Sequence, residues 1–162
     1  MDAFPGLPRK GVVPTLTASD SPKEMVMATK LSEQIIALID NRNFAHLASV
    51  MADGSPHSAP VWLGREGQHI LISTSSDSVK AKNTRRDPRV AISIVDLKDP
   101  YTEVQLRGRV VEQRPDPELK YLDAVSQKYV GKPFPFRGEA QVALVIEIDK
   151  AKYEKIPFEH AA

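Results

Sequence analysis

A cluster of basic residues behind a serine-rich turn is the clearest candidate for binding an anion. Residues 75–78 read Ser-Ser-Asp-Ser, and the cations that follow are Lys80, Lys82, Arg85, Arg86 and Arg89, with Asp87 as the one acid among them. If residues 75–89 form a helix, its free N–H groups, nearby hydroxyls and a lysine could bind a phosphate. A solvated basic face is the simpler interpretation. A nucleic-acid surface is less favoured because no aromatic residues are interleaved to stack on bases.

A second candidate is the segment that contains the only tryptophan, Ser58-Ala59-Pro60-Val61-Trp62. A proline within a strand interrupts ladder pairing. Together with Trp62 it could form an apolar wall with nearby backbone groups, which suits a planar ring system. The alternative is that Trp62 is an ordinary core residue.

Other reactive chemistries are poorly represented. The chain has no cysteine, which excludes a disulfide framework, a thiol nucleophile and a cysteine zinc site. The four histidines, His46, His57, His69 and His160, lack metal-ligand spacing, so no metal is expected. No Ser–His–Asp arrangement can be identified. If the protein is an enzyme, its chemistry belongs to a bound cofactor.

Composition and length indicate one domain with an N-terminal extension. Hydrophobic residues make up 41% of the chain, and 22 basic residues nearly balance 21 acidic ones, so net charge argues neither for nor against a polyanionic partner. Residues 1–28 are proline-rich and form an arm, and residues 29–162 form the domain. No apolar run reaches the roughly 18–20 residues of a membrane span, and no signal peptide is recognisable. We therefore expect a soluble cytoplasmic protein.

The remaining pattern predicts the elements that position these residues. Three segments have helical character: 31–42, with Ser32 as its N-cap, 75–89, and 116–131, with Gly131 as its C-cap. Six segments have the composition of strands: 44–52, 56–66, 69–74, 89–96, 101–114 and 140–148. Asp53-Gly54 predicts a hairpin, and Gly108 predicts a bulge. Six antiparallel strands without a long exposed edge predict a closed barrel, mainly β with short helices.

From about Leu31 to Asp149, the order of segments resembles the flavin/deazaflavin oxidoreductase superfamily, which includes the pyridoxamine 5′-phosphate oxidase-like split β-barrels. The most specific match is the segment of residues 78–89, in which a lysine, an asparagine and Arg-Asp-Pro-Arg close the phosphate-binding helix of the family. Residues 60–62 match the strand along the cofactor ring. The resemblance implies a six-stranded antiparallel split β-barrel of the FMN-binding type. The residues expected to bind the cofactor are Ser58, Ala59, Pro60, Val61, Trp62, Ser73, Thr74, Ser78, Val79, Lys80, Lys82, Asn83 and Arg86.

Within this superfamily the charges favour coenzyme F-420 over FMN. The F-420 tail carries a phosphodiester and several glutamates, which Lys80, Lys82, Arg85 and Arg86 could bind. Val79 stands where the FMN-dependent oxidases usually have an arginine, and the C-terminal arginine signature for pyridoxal phosphate is missing. The resemblance then implies hydride transfer to an enone, a quinone or a tetrapyrrole. An FMN-dependent oxidoreductase and a non-catalytic flavin- or F-420-binding protein are the alternatives.

The same interpretation predicts how the site is assembled. A small barrel with half-exposed apolar strands should cover that surface in a homodimer, with the cofactor sites at the subunit interface. The segments expected to face the small-molecule substrate are the least patterned loops, 97–101 and 131–139. No catalytic residue is predicted.

Overall fold

Three short helices confirm the predicted helical segments in the computed structural model, which describes residues 27–161. They are α1 (Glu33–Asp40), α2 (Val79–Arg86) and α3 (Lys120–Val130). Ser32 and Ser78 cap the first two by accepting a hydrogen bond from an N–H group in the first turn. Gly131 ends α3 at a left-handed φ of 72°. None of these described helices is long and apolar enough to cross a membrane. The predicted arm, residues 1–28, lies almost entirely outside the described residues.

Strands dominate the described residues, which confirms the mainly β prediction. They are β1 (Ala45–Val50), β2 (Pro56–Val61), β3 (Gly64–Glu66), β4 (His69–Ser75), β5 (Arg89–Val95), β6 (Thr102–Pro115) and β7 (Gln141–Lys155). All neighbouring strands are antiparallel, in the order β2-β1-β5-β6-β7-β4-β3. The β1–β2 hairpin turns at Gly54, whose φ is +85°.

The predicted count of six strands and the predicted closure are wrong. Residues 56–66, expected to be one strand, form β2 and β3, which pair with β1 and β4 at opposite edges of the sheet. Only Trp62 and Leu63 separate the two strands, so the sheet curls until its edges come within about 11 Å, three residues of extended chain. Among the described residues no ladder joins β2 to β3, and the backbone groups of Leu63 between them bind side chains of α3. The barrel is therefore split between β2 and β3.

The main core fills the inside of the curled sheet. Ile39 of α1 packs there with inward-facing strand residues such as Leu47, Ile72 and Ile146, all at most 1% exposed. A second, smaller core forms under α3, where Leu119, Leu122 and Val125 pack against half-buried aromatic residues. Because the aromatic residues of this second core include Trp62, α3 lies beside the gap in the barrel.

Gly108 forms the predicted bulge. The pairing of β6 with β7 shifts register between Arg107 and Gly108. A Cβ atom at Gly108 would overlap the carbonyl oxygen of Glu147. Close approach of two backbones explains why only glycine fits here.

Candidate functional site

A cleft of about 760 Å³ lies between the ends of β2 and β4, the start of α2 and one face of α3. The loop after α3 forms its rim. The lining residues are Phe44, Pro60, Val61, Trp62, Ser73, Thr74, Ser75, Lys80, Leu122, Val125, Phe134, Phe136, Arg137, Glu139 and Gln141. The cleft therefore combines an aromatic side with a hydroxyl-rich end that carries a lysine.

The aromatic side is built around Trp62. Its indole stacks on the ring of Tyr129, with centroids 5.2 Å apart and planes 9° apart. The ring of Phe44 is tilted against the ring of Tyr129, with the two ring centroids 5.8 Å apart. Pro60 and Val61 continue the wall along β2. A flat apolar surface of this kind favours contact with a planar ring system.

The polar end is built around Lys80. Its Nζ donates to Thr74 Oγ1 at 3.3 Å, and Thr74 donates to Ser78 Oγ at 3.0 Å. Ser78 Oγ in turn accepts the Ala81 N–H at 3.2 Å, which places this chain of hydroxyls at the start of α2. Burial lowers the pKa of Lys80, and no described carboxylate neutralises it. This end of the cleft is therefore suited to binding an anion.

Lys82, which was also predicted to bind the cofactor, does not line the cleft. Ala81 and Thr84 are buried, which fixes the inner face of α2. Lys82 follows Lys80 by about 200° around the helix axis and is exposed, as is Val79. Of the cations of α2, Lys80 is the one that lines the cleft.

Asn83 and Arg86 bind β1. Asn83 is buried, and its Nδ2 donates to Ser49 Oγ at 3.0 Å. Arg86 donates to the carbonyl oxygen of Val50 and to Asn83 Oδ1. In the single chain these side chains anchor α2 to the sheet, and their contact with a cofactor stays a prediction.

Ser58 and Ala59 also lie apart from the cleft. Ser58 borders a separate groove on the outer face of the sheet, together with His46 and Ser93. Ala59 pairs with the buried Leu47 on the inner face. The structure thus brings together only part of the predicted set, namely Pro60, Val61, Trp62, Ser73, Thr74 and Lys80, with Ser78 bound behind Thr74.

The rim contains residues that the motifs did not identify, although the loop 131–139 was expected to face the substrate. Phe134 and Phe136 contact each other edge to face at 5.6 Å and line the cleft. Asp123 of α3 holds this loop by accepting from the Phe134 N–H at 3.0 Å and from Arg137. The signal in the sequence was the Phe-Pro-Phe run. The other expected loop, 97–101, does not line the cleft; Leu97 borders a different groove.

The remaining newly identified lining residues come from elements that are distant in sequence. Phe44 precedes β1, Leu122 and Val125 belong to the buried face of α3, and Gln141 begins β7. In the sequence, Leu122 and Val125 have the spacing of core positions in an amphipathic helix. Only the packing of α3 beside the gap brings that face to the cleft.

Comparison with solved structures identifies the same fold in other proteins. An F420 reductase is 24% identical, with a TM-score of 0.69, over 75% of this chain and 98% of that chain. A conserved hypothetical protein from Mycobacterium tuberculosis is 21% identical, with a TM-score of 0.62, over 83% and 94%. General Stress Protein 26 from Bacillus anthracis is 19% identical, with a TM-score of 0.56, over 75% and 92%. At these identities the likeness shows the fold.

The family comparison covers every helix and strand of the described residues. No curated protein sequence matches the chain. The family model described as pyridoxamine 5′-phosphate oxidase matches residues 31–155, which include all three helices and all seven strands. The chain therefore belongs to the pyridoxamine 5′-phosphate oxidase family.

Proposed function

We propose that this protein is an oxidoreductase that binds coenzyme F-420 in the cleft and reduces a small electron-poor compound. The family binds flavins such as FMN, and the cleft offers the two surfaces that a flavin-type molecule requires. The observation that carries the proposal is Lys80, a half-buried cation with no carboxylate partner among the described residues, at the end of an aromatic-walled cleft. An unpaired buried charge is costly unless a counter-charge is supplied.

Different residues would bind the ring and the phosphate of the cofactor. Pro60, Val61 and Trp62 would pack against the tricyclic ring. Lys80, with the hydroxyls of Thr74 and Ser75, would bind the phosphate. The bound cofactor would supply a hydride for the substrate, and the wall would hold ring and substrate in a reactive orientation.

The choice of F-420 over FMN rests on charge. The longer acidic tail of F-420 can extend past the phosphate position toward Lys82, Arg85 and Arg86, which are exposed on α2. The first turn of α2 contains no acidic residue. The F420 reductase that shares this fold makes the same cofactor a reasonable first ligand to test.

The second candidate is an FMN-dependent oxidoreductase. It is favoured by the position of Lys80 as the α2 cation that lines the cleft. A single lysine with neighbouring hydroxyls can bind one terminal phosphate, and the remaining cations of α2 do not line the cleft.

Calorimetric titration of the apo protein with F-420 and with FMN tests the choice. We expect F-420 to bind more tightly by about one to two powers of ten at low salt, from several exposed ion pairs of about 0.2–1 kcal/mol each. Because the Debye length falls to about 3 Å at about 1 M salt, the preference should then shrink. Tighter binding of FMN at low salt would select the second candidate, and binding of neither would refute the cofactor assignment.

A separate assay distinguishes an enzyme from a carrier. The protein is loaded with the cofactor that it binds, the cofactor is reduced, and a quinone or an enone is added. Oxidation of the cofactor that depends on both protein and acceptor is expected. Binding without any such oxidation across these acceptor classes would instead support a non-catalytic carrier.

A further inference from the structure

The gap between β2 and β3 leaves the peptide groups of Leu63 without partners in the sheet, and α3 supplies them. The Leu63 N–H donates to the hydroxyl of Tyr129 at 3.1 Å. The Leu63 carbonyl accepts from Lys128 Nζ at 2.6 Å. Since Leu63 is fully buried, each of these groups would be costly without its partner.

The side chains of Lys128 and Tyr129 also donate hydrogen bonds to backbone carbonyls on the other side of the gap. The Tyr129 hydroxyl donates to the carbonyl of Asn43 at 2.5 Å, and Lys128 Nζ donates to the carbonyl of Ile39 at 2.7 Å. Ile39 lies in α1, and Asn43 lies just before β1. Lys128 and Tyr129, which we call the clasp, therefore join the α1–β1 connection to the β2–β3 connection.

The clasp also reaches the aromatic wall of the cleft. Trp62 directly precedes Leu63, and its indole is stacked on the ring of Tyr129. Lys128 Nζ lies 4.9 Å from the centroid of that ring. Burial raises the pKa of Tyr129, which further favours the protonated hydroxyl that donates to Asn43. The backbone beside Trp62 and the ring behind it are thus both fixed by α3.

We propose that Lys128 and Tyr129 are positioning residues that hold the Trp62 wall and thereby set the affinity of the cleft for the cofactor ring. Neither residue lines the cleft, so each acts through Trp62. The effect on cofactor affinity rests on the proposed function. The effect on Trp62 itself does not.

Fluorescence of the ligand-free protein tests the clasp directly, because Trp62 is the only tryptophan in the chain. Tyr129→Phe keeps the stacked ring but removes the hydroxyl, and Lys128→Met removes both donated hydrogen bonds. In each variant we expect a red-shifted emission maximum and stronger acrylamide quenching. Lys132→Met, at an exposed position just beyond α3, should leave both unchanged.

A destabilised control separates positioning from general loss of stability. Gly108→Ala disturbs the β6–β7 bulge, and neither strand directly adjoins Trp62 in the chain. It should lower the melting temperature without changing Trp62 emission in the folded protein. Wild-type emission and quenching in both clasp variants would overturn the proposal. If Lys128→Met does not fold, Tyr129→Phe alone decides it.

Titration with F-420 and FMN then tests the functional consequence. For the cofactor that the wild type binds, each clasp variant should weaken binding about three- to tenfold, as expected for one net hydrogen bond. Unchanged affinity in a variant with altered Trp62 emission would overturn the role in binding. If the wild type binds neither cofactor, the proposed function fails, and the ligand-free fluorescence still decides whether the clasp positions Trp62.

Discussion

Lys80 illustrates how a side chain's position along a short helix decides its role. It is half-buried at the end of the cleft, whereas Lys82 on the same helix is exposed. We expect Lys80→Met to weaken cofactor binding by about 1.5–3 kcal/mol, the range for a hydrogen bond to a charged group. Lys98→Met, at an exposed position outside the cleft, is the control. Equal losses in calorimetric titrations of both variants would point to general electrostatics.

Lys128 gives a pH dependence of opposite sign to that of a lysine in an ordinary salt bridge. Burial lowers its pKa to about 8 in the folded protein, with Asp40 raising it and Arg65 lowering it, against about 10.4 in an unfolded chain. Between these values the unfolded state binds more protons. The free energy of unfolding should therefore increase as pH rises through this range.

Urea unfolding of the wild type and of Lys128→Met across this pH range checks the prediction. Burial also lowers the pKa of Lys80, so the difference between the two proteins isolates the contribution of Lys128. The wild type should gain stability relative to the variant as pH rises. Parallel profiles would show that Lys128 does not titrate in this range.

At the scale of elements, Gly108 in the β6 bulge is the described glycine at which an added Cβ would come closest to another atom. A Cβ at Gly108 would overlap the Glu147 carbonyl of β7. We expect Gly108→Ala to lower the free energy of unfolding by about 1–3 kcal/mol, the usual cost of overpacking. Gly64→Ala, whose added Cβ would lie 3.4 Å from the Leu71 Cβ, should cost less. Denaturant titration of the two variants compares them, and equal costs would contradict a steric role for Gly108.

Helix α3 contributes to the site in three ways. Its buried face supplies Leu122 and Val125 to the cleft. Its Asp123 accepts a hydrogen bond from the rim loop, and its last turn donates a hydrogen bond to the backbone at the gap in the barrel. The closed six-stranded barrel was the wrong prediction because residues 56–66 form two strands at opposite edges of the sheet. Strand alternation gives no indication that a helix 66 residues further along the chain takes the backbone hydrogen bond of Leu63.

At the scale of the whole molecule, the exposed aromatic residues around the cleft support the predicted homodimer. Phe136 is 75% exposed and Phe44 is 47% exposed, and both line the cleft. Apolar surface of this kind beside a binding site favours burial by a partner subunit. Light scattering at micromolar concentration should give twice the mass of one chain. A stable monomer would contradict the prediction, and each cleft would then be formed by one chain alone.

The sequence alone was sufficient for features that depend on near neighbours. Ser32 and Gly131 mark helix ends, Asp53-Gly54 marks a hairpin and Gly108 a bulge, and the structure has all of them. Capping, turn conformation and alternation act over a few residues, so their signals are local. The resemblance in residues 60–62 and 78–89 likewise led to the family that the comparison shows.

Tertiary structure decided which of those residues meet. A cluster of cations on one helix looks uniform in the sequence, yet the buried face formed by Ala81 and Thr84 directs Lys80 to the cleft and leaves Lys82 exposed. Phe44 and Gln141 reach the same cleft from opposite ends of the domain. Lys128 and Tyr129 lie at the split of the barrel, where they bind backbone groups far away in the chain. Contacts over such separations depend on how the elements pack, and local sequence patterns do not encode that packing.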